Sequence, residues 1–201
     1  MIQFKLDFFL KKSRFETILI ISISEVYDMA NNPKVTDFLK ECIADAIIKL
    51  LEKKPLEKIT IPEIAEISGV SRATYFRYFK NKTDPLVFKL NKLWMRWAEE
   101  HNVLIRNKFD KNNAKTYFEY HQSIQGISSL LYSRNLETVF YESIHKIMYP
   151  ESGDNVFECY QNSFYSYALF GLVNEWIKRG YCETPDDMLI YVKKIVENPL
   201  K

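Results

Sequence analysis

Apolar residues return every three or four positions along most of this chain, the spacing of one buried face of an α-helix. The first clear stripe is Leu39, Ile43, Ala46, Ile47 and Leu50, which predicts a helix over 36–53. "KKPLEK" ends it, because Pro55 cannot continue the hydrogen-bond ladder. A second, short helix starts at "TIPE": Thr60 can cap it and Glu63 stands at capping-box spacing. Ile64, Ala65 and Ile67 are its inward positions, and Ser68-Gly69 closes it, with Gly69 suited to a left-handed cap. Ser71 can cap a third helix from Arg72 to about Phe79. Thr83 and Asp84 then open a long helix over 84–107, with Pro85 in its first turn and Leu86, Leu90, Leu93, Trp94 and Trp97 on its apolar face. Further helices are expected over 114–133, 135–148 and 155–179, the last stopped by Gly180. A final one starts at "TPDD", with Thr184 as cap and acids in the opening turn, where the helix dipole favours them. No segment alternates as a strand does. The expected class is all-α: an N-terminal three-helix helix-turn-helix domain (34–85) followed by a C-terminal antiparallel helical bundle (86–201).

The segment before this pattern is different. "TILIISISEV" (17–26) is apolar but shorter than the roughly 20 residues of a membrane span. It also lacks a signal-peptide cleavage pattern. Residues 1–33 are expected to be an N-terminal extension, with 1–28 lying upstream of a body that begins near Met29. Cys42, Cys159 and Cys182 are odd in number and widely spaced, which fits a reduced, cytoplasmic protein better than a disulfide framework. His101, His121 and His145 lack metal-ligand spacing, and no cofactor is implied.

Charge adds one local feature. The formal net charge is only +2 in 201 residues, but its distribution is uneven. Arg72, Arg77, Lys80 and Lys82 fall within eleven residues that contain no acid, whereas residues 86–201 carry fourteen basic and fourteen acidic side chains. A basic patch on a neutral body suits a polyanion reader. Its placement is specific. Two short helices joined by a tight Gly turn, the second basic at both ends, describe a helix-turn-helix whose second helix can enter the DNA major groove. At helical spacing Tyr75 and Phe79 face inward, while Arg72, Ala73, Phe76 and Arg77 share the opposite face. Arg72 stands where a guanidinium could fork onto a guanine edge. Arg77, Lys80 and Lys82 suit phosphates.

"ITIPEIAEISGVSRATYFRYFKNKTDPL" (59–86) resembles the DNA-binding domain of the TetR family of bacterial transcription regulators. Thr60, Ile64, Ala65, Gly69, Val70, Ser71, Thr74, Phe79 and Lys82 fall in register with the family pattern. The resemblance implies phosphate contacts from Thr60, Thr74 and Lys82 and base contacts around Arg72 and Ala73. With the neighbouring Ser71, Phe76, Arg77, Tyr78 and Lys80, these form the expected DNA-binding set. Two positions depart from the pattern: Phe76 stands where the family usually has Tyr, and Tyr78 where it often has His. Phe76 cannot donate to a phosphate but can pack on a sugar or a thymine methyl.

"YALFGLVNEWIKRGYCETPDDM" (167–188) resembles a recurrent C-terminal type of the same family, in which the last two helices form a four-helix bundle with a second subunit. Phe164, Ala168, Gly171, Leu172 and Glu175 form a stripe whose small residues permit close helix approach; Met188 and Tyr191 join them as the expected dimer face. The resemblance also implies a pocket for a small-molecule effector in the body. Trp94, Trp97, Tyr117, Phe118, His121, Phe140, Tyr141, Tyr160 and Phe164 are its candidate lining, an apolar set with scattered polar tips. The expected function is a homodimeric transcription regulator, acting as a repressor of a palindromic double-stranded operator and released by its effector. The alternative is a regulator-like adaptor whose body binds another protein. Enzymatic activity is not expected: the chain has no Gly-rich phosphate loop, no nucleophile with a base at useful spacing and no metal cluster.

Overall fold

The computed structural model describes residues 33–103, 111–148 and 155–197. Among them are nine α-helices and no strand, the all-α class that the apolar spacing requires. In order they are α1 (Pro33–Leu51), a 3₁₀ turn (Leu56–Lys58), α2 (Ile61–Ser68), α3 (Arg72–Tyr78), α4 (Asp84–Glu100), α5 (Lys111–Ser123), α6 (Gln125–Ser133), α7 (Thr138–Met148), α8 (Val156–Lys178) and α9 (Pro185–Glu197). The expected N-terminal extension falls, but for Pro33, outside the described residues, as does the turn around residues 150–154. By its contacts the chain divides into Met1–Glu41, of which the start of α1 is described, and Cys42–Lys201, which holds all the rest.

Within Cys42–Lys201, α1 buries Ile43, Ala46, Ile47 and Leu50 as its stripe foretold. Leu56, Ile59, Ile64, Val70, Tyr75, Phe79, Leu86 and Leu90 are buried after it. Each fully buried aliphatic side chain of this kind stabilises the fold by about 1.5–3 kcal/mol. In the bundle that follows, α4 packs on α7, α7 on α8, α6 on α8, and α5 on α9. Polar clamps fix these pairs. The Ser143 hydroxyl donates to Asn91 Oδ1 (2.6 Å), that of Tyr132 to Asn174 Oδ1 (3.0 Å), and the Lys115 ammonium pairs with Asp186 (2.8 Å). Arg134 reaches back from the end of α6 to the end of α1, donating to the carbonyls of Leu51 (2.7 Å) and Glu52 (3.0 Å). A guanidinium on the open carbonyls of a helix end both satisfies them and matches the dipole.

Three helices end on one local device, and at α4 it stops the helix earlier than apolar spacing implies. Helix α4 ends at Glu100, short of the expected 107. Asn102 there adopts a left-handed conformation (φ 52°), Val103 N–H bonds Ala98 C=O (2.8 Å), and Asn102 N–H bonds Glu99 C=O (3.2 Å). That is a Schellman cap with Asn in the usual glycine place. Asn135 (φ 57°) closes α6 in the same way, with Leu136 N–H on Leu131 C=O (3.0 Å). Gly180 (φ 72°) closes α8, with Tyr181 N–H on Trp176 C=O (2.9 Å). The single helix expected over 114–133 is two, α5 and α6, interrupted at Ile124 (φ −99°, ψ 18°). The final start matches its motif: Thr184 and Asp187 exchange hydrogen bonds as a capping box, and the Thr184 hydroxyl and N–H hold the Asp187 carboxyl below its ordinary range.

Candidate nucleic-acid interface

The interface grows from two caps. Thr60 N–H (2.9 Å) and hydroxyl (2.8 Å) both donate to Glu63 Oε2, and Glu63 N–H returns to the Thr60 hydroxyl (3.5 Å). Lys54 donates to the other carboxylate oxygen of Glu63. This lysine, first, and the Thr60 N–H and hydroxyl, next, hold the Glu63 carboxyl down to about 2. Helix α2 therefore starts at a fixed point. It ends at Gly69 in the left-handed region (φ 68°), where any side chain would be strained. Two residues on, the Ser71 hydroxyl accepts from Thr74 N–H (3.1 Å) and starts α3. The "SGV" turn thus joins two capped helices with no slack between them, and α2 packs directly on α3.

Burial then sorts the faces of α3. Tyr75 (1% exposed) and Phe79 (5% exposed) form its underside, with rings 6.0 Å apart. The Tyr75 hydroxyl donates to Asn81 C=O (2.9 Å), and burial followed by the nearby Asp84 charge pushes that phenol up to about 12. Opposite them, Ser71, Arg72, Ala73, Phe76, Arg77 and Lys80 are exposed; Thr74 and Tyr78 are half-buried and Thr60 is exposed. Phe76 is 63% exposed, its ring edge-on to Tyr75 at 5.4 Å. Among the described residues, neither Arg72 nor Arg77 is held by an ion pair, so both guanidinia are available to an anion. Ile67, expected inward on α2, is 44% exposed, and of the three residues expected inward only Ile64 is fully buried.

Lys82 departs from its expected role. Its ammonium donates to the carbonyls of Leu56 (2.7 Å) and Ile59 (2.9 Å), with Glu57 at 3.4 Å. Three protons are an ammonium's whole supply, and three carbonyls of the loop ahead of α2 take them. Lys82 thus staples the 3₁₀ turn to the end of the reading unit instead of presenting a free charge. Lys82→Met should lower stability by about 1–3 kcal/mol in thermal or urea denaturation, with the salt dependence of DNA binding unchanged. A shallower salt slope with unaltered stability would return Lys82 to a phosphate. Thr83, expected with Asp84 to open α4, makes no capping bond. Asn81 does that work: its side-chain oxygen accepts from Thr83 N–H (2.9 Å) and Asp84 N–H (2.9 Å). Asp84 in turn accepts from Lys80 N–H (3.0 Å). The signal, an Asn three residues before the first helical Asp, was present in "NKTD".

In the body, the expected pocket set divides. Trp94, Phe118, His121 and Phe140 are buried, and Trp97, Tyr117 and Tyr141 half-buried. Tyr160 (75% exposed) and Phe164 (70% exposed) are not part of that interior, because they project from the outward side of α8. The expected dimer face is brought together: all seven of its residues line one groove of about 1030 Å³ along α8 and α9. Met188 is buried and forms part of its floor.

Two short capped helices packed on each other, the second with an exposed basic face, are the arrangement of a DNA-binding transcription regulator. Residues 43–84 match the model for bacterial regulatory proteins of the tetR family, and residues 111–198 match a transcriptional regulator C-terminal region. The chain belongs to the TetR family. No curated protein matches it. Among the described residues no helix is long and apolar enough to cross a membrane.

Proposed function

We propose that the chain acts as a homodimeric repressor, with residues 34–85 reading a palindromic operator and residues 86–201 pairing the subunits and holding a small-molecule effector. The observation that carries this reading is the division of α3 into a sealed underside and an exposed Arg72–Ala73–Phe76–Arg77 face. In it, Arg72 and Ala73 meet base edges and Phe76 meets a thymine methyl or a sugar. Ser71, Thr74, Arg77, Tyr78 and Lys80 meet the backbone, with Thr60 at the start of α2. One such helix covers only a few base pairs, so two copies about one DNA turn apart, roughly 34–36 Å, are needed for a selective site.

The groove along α8 and α9 supports the pairing. Phe164, Ala168, Leu172 and Tyr191 line it, and Ile195 and Val196, also in its lining, are 57% and 74% exposed. A four-helix bundle with the same two helices of a second copy would cover them. Helix α4 runs from the reading unit into the body, so an effector that shifts it would change the spacing of the two reading helices; such coupling is typically about 1–3 kcal/mol. The adaptor reading has one observation in its favour. Val156, Phe157 and Tyr160, 67–75% exposed, extend the apolar side of α8 beyond the groove.

A gel-shift titration on DNA flanking the gene tests the proposal, repeated across salt concentrations with Arg77→Ala. The wild type should prefer flanking over random DNA. The variant should weaken binding to every sequence and reduce the slope of log K against log salt by about one. Equal affinity for random and flanking DNA would remove specific regulation.

A further inference from the structure

Buried polar atoms in a folded protein almost always have partners. Among the described residues, eight buried side-chain polar atoms lack a partner; three of them, on Ser166, Tyr181 and Glu183, lie elsewhere, and the other five fall in one aromatic cluster. Trp176 donates its indole N–H to Glu183 C=O (3.0 Å), Tyr132 its hydroxyl to Asn174, and Tyr120 its hydroxyl to Leu90 C=O (3.0 Å). The other two tryptophans, Trp94 and Trp97, leave their indole N–H groups buried and unpartnered. So do the Tyr117 hydroxyl and both ring nitrogens of His121. These five atoms belong together. Trp94 lies against Tyr117 (5.8 Å between ring centres) and Tyr117 against His121 (4.7 Å); Tyr120 touches Trp94 (5.1 Å), Trp97 (6.3 Å) and His121 (5.0 Å). His121 is only 3% exposed.

We propose that the Trp94, Trp97, Tyr117 and His121 cluster between α4 and α5 binds an uncharged aromatic molecule that carries hydrogen-bond acceptors, such as an aryl ketone. The inference rests on the effector reading above and states the chemistry of that effector. The inventory of the cluster decides it. Two indoles only donate, a phenol donates and accepts, and a neutral imidazole offers one of each. Donors outnumber acceptors, so the matching ligand brings chiefly acceptors. The walls are aromatic faces and edges, which favour a flat apolar frame. Charge is excluded by the surroundings. Burial alone holds the His121 imidazole down to about 3, with no charged neighbour contributing, and for Tyr117 the only other influence is Tyr120. A carboxylate or ammonium would enter with no counter-charge, which is expensive in a dry interior.

Four probes on one frame test this by calorimetry and by quenching of tryptophan fluorescence: 2-acetylnaphthalene, 2-ethylnaphthalene, 2-naphthoate and 2-naphthylmethylammonium. The ketone should bind about tenfold or more tighter than each of the others, one net hydrogen bond being worth about that factor. Trp97→Phe should remove much of the quenching. Tyr117→Phe, which deletes only an orphaned hydroxyl, should leave the ligand-free protein as stable or more so, while the ketone's preference over the ethyl compound shrinks. Equal binding of ketone and ethyl compound, tighter binding of either ion, or no binding of any probe overturns the proposal. Specific DNA binding is measured on the same samples. A protein that selects its operator but ignores the ketone refutes this inference alone; one that takes the ketone but selects no DNA refutes the regulator reading alone.

Discussion

Ala168→Glu should turn the proposed dimer into monomers and abolish operator binding at protein concentrations where the wild type saturates the site. Ala168 is exposed on α8, in the groove with Gly171 and Leu172, so the substitution disturbs no core and Glu suits a helix. Pairing two copies through this groove would bury the new carboxylate against apolar neighbours, and the same would happen on both subunits. A buried unpaired charge costs about 3–5 kcal/mol, which raises the dimer Kd by at least about 100-fold. Sedimentation velocity reads the mass directly, and far-UV circular dichroism should show the helical content unchanged. A variant that sediments as the wild type does would mean that α8 and α9 are covered by something other than a second copy.

The second large effect concerns the underside of α3. Tyr75→Ala should cost about 3–5 kcal/mol, the range for removing a large buried aromatic. The ring is 1% exposed and touches Phe79 and Phe76, and its hydroxyl holds the Asn81 carbonyl just where the loop turns into α4. Tyr75→Phe keeps the ring and loses only that bond, about 1 kcal/mol. Urea denaturation separates the two. DNA affinity should fall with Tyr75→Ala even though Tyr75 never faces DNA, because Arg72 and Arg77 are aimed only while their helix is seated. Equal stability of the two variants would show that the hydroxyl, not the ring, anchors α3.

The helix-turn-helix was the most legible part of this chain because its information is local. Thr60 and Glu63 find each other across one turn, Gly69 takes a conformation that side chains resist, and the three-four spacing separates Tyr75 and Phe79 from Arg72 and Arg77. Less legible were features set by context. Asn102 ends α4 in a conformation that glycine usually takes, so the apolar spacing ran on past Glu100 to 107. The break at Ile124 has no Pro, and Gly126, two residues later, lies within α6. Aromatic content alone could not tell Tyr160 and Phe164 from Phe118 and Phe140, because α8 is apolar nearly all round and gives no inward face. Lys82 reads as a basic side chain in any sequence; only the fold brings three carbonyls to it.

Whether α3 reads base edges is tested most directly by selecting binding sites from random duplex DNA, with wild type and Arg72→Ala side by side. The wild type should enrich a palindrome whose half-sites lie about one helical turn apart. Arg72→Ala should lose preference at one position in each half-site, at about 1–3 kcal/mol, and keep the rest. No enriched site for the wild type, or the same site with the same preferences for both proteins, would contradict base reading by α3.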